Sequence, residues 1–307
     1  MEALFVPMSL VAGALLAVQA GANTQLSKVT GSPFAATLLQ LSVGTVALTL
    51  LALAGGSVIA LADLTQVPWW HALGGTASAL FVVSTILLFP RLGAVVSVGL
   101  IIAGQMLASL FLDGFGLLGV PATGFGASTL VGSLAVLAGT AAIVLGQTGA
   151  LSDLSTSKLG WILLALLAGA VLPVQGAVNG LLRADIGAPI TVGAVSFLVA
   201  TLAMALAMLV IAAFADLPKP NLSNVRGMPW WGWLGGFVGA LYVTTMFTAI
   251  PVIGTAAAVG LTVAGQQVAS VFVDRHGWFR LPVRPVSSVR LAGVAVLLVG
   301  VAIIKLI

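Results

Sequence analysis

The stretch VQAGANTQLSKVTGSP, residues 18–33, returns in the second half of the chain as VQGAVNGLLRADIGAP, residues 174–189. Gln19 of the first copy corresponds to Gln175 of the second, at a spacing of 156 residues (175 − 19). Such a match between distant segments predicts an internal duplication, and a duplication determines how the rest of the chain is interpreted.

Two longer matches extend the duplication. The segment PWWHALGGTASALFV at residues 68–82 returns as PWWGWLGGFVGALYV at residues 229–243. The segment FPRLGAVVSVGLIIAGQ at residues 89–105 returns as IPVIGTAAAVGLTVAGQ at residues 250–266, a spacing of 161 residues (266 − 105). Matches of this length predict two homologous halves produced by gene duplication. The predicted units are a first half of residues 1–150, a linker of residues 151–159 and a second half of residues 160–307.

The composition places the chain in a membrane. Hydrophobic residues make up 60% of it, charged residues only 6%, and the mean hydropathy is +1.23. A soluble domain carries about 25% charged residues, so this chain has too few to cover a surface that faces water. Apolar runs of about 20 residues span a bilayer, and they must be helical because lipid offers their backbone groups no partners. Ten such runs lie near residues 4–25, 34–58, 70–89, 93–112, 128–147, 160–181, 190–214, 231–250, 254–273 and 288–306.

The residue counts exclude several kinds of site. Cysteine is absent, so the chain has no disulfide, no thiolate nucleophile and no zinc site of the cysteine type. The two histidines, His71 and His276, are far apart, and the seven acidic residues fall at predicted helix ends or in loops. We therefore predict no enzyme, no metal and no cofactor. The isoelectric point near 10.1 is attributed to basic loops rather than to a nucleic-acid partner.

The basic residues predict the orientation of the chain. Of the eleven, Arg183 and Lys305 fall on one side of the predicted helices, and the other nine fall on the opposite side. Basic loops stay in the cytoplasm, so both termini are predicted to lie outside. The nine are Lys28, Arg91, Lys158, Lys219, Arg226, Arg275, Arg280, Arg284 and Arg290.

Five helices in each half is an odd number, and this has a geometric consequence. If the first helix runs from outside to inside, the sixth must run from inside to outside. The predicted fold is therefore an all-α membrane protein in which ten transmembrane helices form two inverted five-helix repeats. In transporters such repeats place the substrate site near the middle of the membrane and expose it alternately to each side. The inverted duplication thus favours a transporter over a passive channel.

Polar side chains inside membrane helices are candidates for a central site, because they are costly in lipid. Amides offer donors and an acceptor without net charge, which suits a small polar solute that is neutral or zwitterionic. Pro173 is expected to kink the sixth helix and to form a gate, because proline removes a backbone hydrogen bond. The predicted substrate-binding residues are Gln19, Asn23, Gln175, Asn179, Gln105, Gln266 and Tyr242.

The alternative interpretation of these amides is structural, because Asn and Gln also hydrogen-bond between packed transmembrane helices. Alanine at Asn23 or Asn179 separates the two interpretations. Loss of ligand binding in a folded protein indicates a binding role, whereas loss of folded protein indicates interhelical hydrogen bonding. Substitutions without any effect indicate a non-transporting scaffold.

The repeated segments resemble those of a known family. The segments PVQGAVN and PWWGWLGGFVGALYV, the pattern P-x-x-G-x(4)-V-G-L and the AGQ triplets are similar to the YdcZ-type family of the drug/metabolite transporter superfamily, in its fused ten-helix form. The resemblance covers essentially the whole chain and implies a bacterial inner-membrane transporter of two inverted repeats. Ten-helix members usually have cytoplasmic termini, which is opposite to the orientation that the basic residues predict.

Together these observations predict a secondary transporter that moves a small polar metabolite or drug-like solute by alternating access between two pseudo-symmetric halves. A passive facilitator or channel and a non-transporting membrane scaffold are the alternatives. The predicted partners are a small-molecule substrate and the lipid bilayer. The protein is expected to be a monomer or a homodimer.

Overall fold

The computed structural model describes residues 2–92, 94–145, 158–214, 220–281, 283 and 286–306. These residues form α-helices and short 3₁₀ segments, with no β-strand among them, which confirms the predicted all-α fold class. Most of the predicted linker, residues 151–157, lies outside the described residues. The ten α-helices are α1 (Glu2–Thr30), α2 (Pro33–Ala54), α3 (Thr76–Leu92), α4 (Ala94–Phe115), α5 (Ala127–Leu145), α6 (Leu159–Ile186), α7 (Pro189–Phe214), α8 (Leu234–Ile253), α9 (Thr255–His276) and α10 (Ser288–Leu306).

Nine of the described helical segments are long and apolar enough to cross a membrane, at 19 to 28 residues each. The described apolar part of α10, Ser288–Ile304, is shorter than the 18 residues that such a span requires. Large apolar side chains cover the outside of the bundle, and Leu202, Leu206 and Leu209 of α7 are each at least 60% exposed. Such a surface is stable against lipid rather than water.

Local sequence signals set the boundaries between helices. Ser32 caps α2, because its Oγ accepts a hydrogen bond from the backbone N–H of Ala35 at 3.2 Å. Pro33 then occupies the first helical position, where the N–H that it lacks would have no partner. The turn between α6 and α7 uses Gly187, whose φ of 65° ends α6, and Pro189 begins α7.

Two 3₁₀ segments lead into α3 and α8 at equivalent places in the halves. They are Trp69–Gly75 and Trp230–Trp233. The sequence predicted continuous helices from residues 70 and 231, so the α-helical part of each begins several residues later than predicted. Close packing accompanies the first of them, because a Cβ atom on Gly75 would overlap the backbone carbonyl of Ser196 in α7.

Helices from opposite halves cross each other at four glycines. A Cβ atom on Gly13 of α1 would overlap the backbone of α9, and one on Gly265 of α9 would overlap the backbone of α1. Gly104 of α4 and Gly169 of α6 form a second crossing with the same contacts. The two crossings are formed by equivalent residues of the internal repeat. Gly13 corresponds to Gly169 (169 − 13 = 156), and Gly104 corresponds to Gly265 (265 − 104 = 161). Small residues are what allow such close approach between membrane helices.

Two more helix pairs join the halves. The hydroxyls of Thr45 in α2 and Thr201 in α7 lie 2.9 Å apart, and these residues are each other's equivalents at a spacing of 156 residues. The helices α5 and α10 also pack closely, through glycines on both. These glycines are Gly132 and Gly139 of α5 and Gly293 and Gly300 of α10.

Candidate functional site

A cavity of about 260 Å³ lies towards one end of the bundle, between helices of both halves. It is enclosed by α1, α4 and α5 from the first half and by α9 and α10 from the second. Its wall is mainly aliphatic along α4 and α5, apart from Thr140, and mainly polar along α9 and α10. The residues that represent each helix are Thr24 of α1, Val98 of α4, Thr140 of α5, Gln266 and Gln267 of α9, and Arg290 of α10.

The equivalent positions towards the other end are filled by packed side chains. Met106 stands where the cavity has Gln267 (267 − 106 = 161), and it is fully buried. Val259 stands where the cavity has Val98 (259 − 98 = 161), and it is 2% exposed, whereas Val98 is half-buried. Both belong to the largest apolar core cluster of the described residues. In the part of the chain that the structure describes, one end of the interface between the halves holds a cavity and the other is closed.

An ion pair lines the cavity. Nη2 of Arg290, in the first turn of α10, lies 2.8 Å from Oδ2 of Asp274, in the last turn of α9. The same Nη2 donates a hydrogen bond to Oγ of Ser270 at 3.1 Å. The side chain of Arg290 is 6% exposed and that of Asp274 is 25% exposed. Nε of Arg290 is buried and has no hydrogen-bond partner among the described residues. The guanidinium therefore keeps one N–H group that no described acceptor satisfies.

The equivalent carboxylate in the first half has a different environment. Asp113, near the end of α4, accepts hydrogen bonds from the backbone N–H groups of Thr255 at 2.7 Å and Ala256 at 2.6 Å. These are the first two residues of α9, so Asp113 caps a helix of the opposite half. The residue is 3% exposed. A negative charge is stabilised there by the helix dipole as well, and the contact ties the halves together at the closed end.

A family profile decides what kind of protein carries this cavity. The profile described as "Putative inner membrane exporter, YdcZ" matches residues 4–142 and 160–303. The chain belongs to the YdcZ family. It is accordingly a multi-pass protein of the inner membrane, whose family is one of exporters rather than enzymes. The resemblance predicted from the repeated segments is confirmed.

A solved crystal structure has the same fold as this YdcZ-family chain. The two superpose with a TM-score of 0.74 over 99% of this chain and 96% of the other, at 16% sequence identity. At that identity the likeness concerns the fold alone. No curated protein matches the chain.

The predicted amides of α1 lie against α8. A Cβ atom on Gly239 would come within 2.8 Å of Nε2 of Gln19, and one on Gly235 would come within 2.7 Å of Oδ1 of Asn23. Oδ1 of Asn23 is buried and has no hydrogen-bond partner among the described residues. The glycines of α8 thus make room for the two amides, which are half-buried between the helices.

The predicted amides of α6 form hydrogen bonds between helices. Nε2 of Gln175 donates to Oγ of Ser78 in α3 at 2.8 Å. Nδ2 of Asn179 donates to Oγ of Ser196 in α7 at 2.9 Å, and Asn179 is fully buried. The structural interpretation of the amides expects contacts of this kind.

The remaining predicted residues are spread over the bundle. Gln266 lines the cavity. Its equivalent Gln105 is half-buried beside the closed end, where its backbone carbonyl accepts a hydrogen bond from Ser109 at 2.7 Å. Tyr242 is half-buried and packs against two apolar clusters of the core. Pro173 is buried within α6, which continues through it from Leu159 to Ile186, and its role as a gate stays a prediction.

Sequence reasoning did not assign Arg290 and Asp274 to the site. Arg290 was counted among the basic residues of the loops, and Asp274 was placed at a helix end. A signal was present in the comparison of the halves. The residue equivalent to Arg290 is Thr129 (290 − 129 = 161), so the duplication carries a charge in the first turn of α10 that α5 lacks.

Proposed function

We propose that the protein is a secondary transporter that moves a small polar metabolite or drug-like solute across the inner membrane by alternating access between its two halves. The observation that carries the proposal is the unequal packing of equivalent positions. Val98 and Gln267 border a cavity of about 260 Å³, whereas their equivalents Val259 and Met106 are buried in the apolar core. Alternating access requires one arrangement to be open while its equivalent is closed.

The proposal includes an exchange of the two arrangements by rocking of two inverted five-helix repeats. The two glycine crossings support this exchange, because the crossing of α1 with α9 has the same contacts as the equivalent crossing of α6 with α4. Such crossings hold the helix middles together while their ends change neighbours. The two states then differ mainly in the contacts at the ends, where Asp113 and Asp274 lie.

Of the seven proposed binding residues, Gln266 has direct support, because its side chain borders the cavity. We propose that Gln266 contacts the solute and that Gln105 does so when the closed end opens. The amides of α1 and α6 flank α8 and α3, so we propose that they adjust the packing of those helices during the exchange. Pro173 is the proposed point of bending in α6.

The proposed orientation follows the basic residues. The cavity lies towards the end that carries Arg275, Arg280 and Arg290, and basic segments stay in the cytoplasm. The cavity then opens towards the cytoplasm and both termini lie outside. An exporter in this state is ready to load its solute from inside the cell.

The experiment uses two matched cysteine variants. The natural chain has no cysteine, so a single introduced thiol reports one position. Val98 borders the cavity, and its equivalent Val259 (259 − 98 = 161) is 2% exposed at the closed end. We expect a soluble maleimide to label Val98→Cys much faster than Val259→Cys. The rates are measured with inside-out and right-side-out membrane vesicles, which also identify the side to which each position opens.

A third substitution tests the alternation without a known solute. Asp113→Asn removes one of the two carboxylate acceptors that cap α9 and weakens the closed end. A shift of about 1.4 kcal/mol between the states changes their ratio about tenfold. In this background we expect Val259→Cys to be labelled faster and Val98→Cys more slowly.

The alternatives give different results. If the protein is a passive channel, maleimide should label Val98→Cys and Val259→Cys at similar rates. Asp113→Asn should then leave the labelling rate of Val98→Cys unchanged. If the protein is a scaffold that does not change state, the labelling rate of each cysteine should be the same with Asp113 and with Asp113→Asn. Opposite changes at the two positions contradict both alternatives.

A further inference from the structure

We infer that the transported solute carries a carboxylate group and that Arg290 binds it. The inference rests on the proposed function, since it names the class of solute that the cavity accepts. It starts from a guanidinium that is almost completely removed from water and yet borders a cavity. Arg290 is 5% exposed and its charge is paired with Asp274, as a buried arginine normally requires, yet its Nε has no acceptor among the described residues.

The hydrogen bonds of Arg290 leave one of its donors without an acceptor. Asp274 and Ser270 both bind Nη2, while Nε is buried and without an acceptor. A guanidinium presents its donors in a planar fork that matches the two oxygens of a carboxylate. Both two-donor edges of the guanidinium include Nη2, so a solute carboxylate binds there by replacing Asp274, whose side chain is four times as exposed as that of Arg290 (25% against 6%).

The rest of the cavity limits the solute further. Arg290 and Asp274 together carry no net charge, so a solute with a carboxylate and a positive group leaves the cavity neutral, whereas a solute with a carboxylate alone adds one negative charge. The amides of Gln266 and Gln267 offer donors and acceptors beside this pair. The opposite wall is aliphatic and includes Ile102 and Val144. The cavity thus suits a small solute with a carboxylate at one end and an aliphatic group at the other.

Comparison of the halves indicates that the guanidinium is not required for helix packing. The equivalent position in α5 carries Thr129, and the equivalent carboxylate, Asp113, is bound by backbone N–H groups. The first half therefore builds the same arrangement of helices without a cation. A charge added to one half alone is a feature of the cavity rather than of the repeat.

The experiment measures the thermal stability of the purified full chain with three probes of one shape. L-leucine carries a carboxylate and an ammonium group, 4-methylpentanoate carries only the carboxylate, and L-leucinamide carries only the ammonium group. A ligand that binds the native state raises the melting temperature by mass action. We expect L-leucine and 4-methylpentanoate to raise it at millimolar concentration, and L-leucinamide to leave it unchanged.

Variants assign the effect to Arg290. The double variant Arg290→Gln with Asp274→Asn removes both charges, so neither is left buried without its partner. We expect it to fold and to bind 4-methylpentanoate at least about tenfold more weakly, which corresponds to the loss of a charge-assisted hydrogen bond. Arg275→Gln is the control, because Arg275 is an exposed arginine at the same end of α9.

Three results would overturn the inference: equal binding of L-leucinamide, undiminished binding of 4-methylpentanoate by the double variant, and no shift with either carboxylate. The maleimide experiment at Val98 and Val259 is independent of all three. If labelling alternates but carboxylates do not bind, the transporter proposal stands and this inference fails. If labelling does not alternate, the transporter proposal fails whatever the probes do.

Discussion

Asp113 and Asp274 are equivalent residues at opposite ends of the interface between the halves, and their surroundings differ. Asp113 is 3% exposed and caps α9 through two backbone N–H groups. The side chain of Asp274 is 25% exposed and pairs with Arg290 beside a cavity. The same carboxylate position either joins the two halves or borders the space between them. The contacts at the two ends therefore differ, while the crossings of α1 with α9 and of α4 with α6 are equivalent.

The largest loss of stability is expected at the two glycine crossings, and it should be the same at both. Gly104→Val and Gly265→Val each place a side chain into the backbone of the opposite helix, at equivalent crossings. We expect both to lose about 3 kcal/mol or more of the free energy of unfolding, because overpacking at a backbone contact cannot be relieved by a rotamer change. Expression and the unfolding midpoint in detergent measure it. Gly160→Val is the control, since a Cβ atom there would meet open space.

A smaller effect is expected at the carboxylates, and here the ends should differ. Asp113→Ala leaves the N–H groups of Thr255 and Ala256 buried without acceptors, which costs about 2–4 kcal/mol. Asp274→Ala combined with Arg290→Gln removes both charges of the ion pair beside the cavity, so no buried charge loses its partner and we expect a loss nearer 1 kcal/mol. Denaturant titrations of the two variants provide the comparison. Equal losses would contradict the distinction between a closing contact and a cavity wall.

The amides of the two halves should also differ. Asn179→Ala removes the partner of Ser196 in a fully buried position, and we expect it to cost about 1 kcal/mol. Asn23→Ala should cost less, because Asn23 is half-buried and has no counterpart of the hydrogen bond that Nδ2 of Asn179 donates to Ser196. The measurement is the melting temperature of each variant beside its affinity for a ligand that stabilises the natural chain. Unchanged stability with lost affinity would favour the binding role that the sequence predicted.

The smallest effect is expected at the contact between α2 and α7. Thr45→Val removes the hydroxyl contact with Thr201, and interhelical hydrogen bonds in membranes contribute about 0.6 kcal/mol on average. The double variant with Thr201→Val should show little additional loss, because the two residues share one bond. If Thr45→Val loses more free energy of unfolding than Asp113→Ala, the pair of Thr45 and Thr201, rather than Asp113, makes the main contact between the halves.

Much of the fold was predictable because hydropathy and the internal repeat are properties of long segments. The helices follow from apolar runs, and the family follows from segments that occur twice. The helix ends were harder to predict, because α3 and α8 begin several residues later than their apolar runs. Packing against a neighbouring helix, rather than local hydropathy, accompanies those 3₁₀ segments.

The site was predictable only in part, because the choice of open end depends on single residues. Amides were assigned from their polarity, yet only Gln266 of the predicted residues borders the described cavity. Met106 and Gln267 are equivalent, and nothing in their local sequence reveals that one is packed and the other borders a cavity. Arg290 lay outside the prediction because a charge near a helix end is normally an interfacial residue.

The difference between Arg290 and Thr129 also has an evolutionary meaning. In a dimer of two identical five-helix chains that insert in opposite directions, a twofold axis would impose the same residue at both positions. Every mutation would then appear on both faces of the membrane at once, and neither face could be specialised. A single chain has no such restriction, so its second half can carry Arg290 where its first half carries Thr129. The joined chain is thus free to treat the two sides of the membrane unequally.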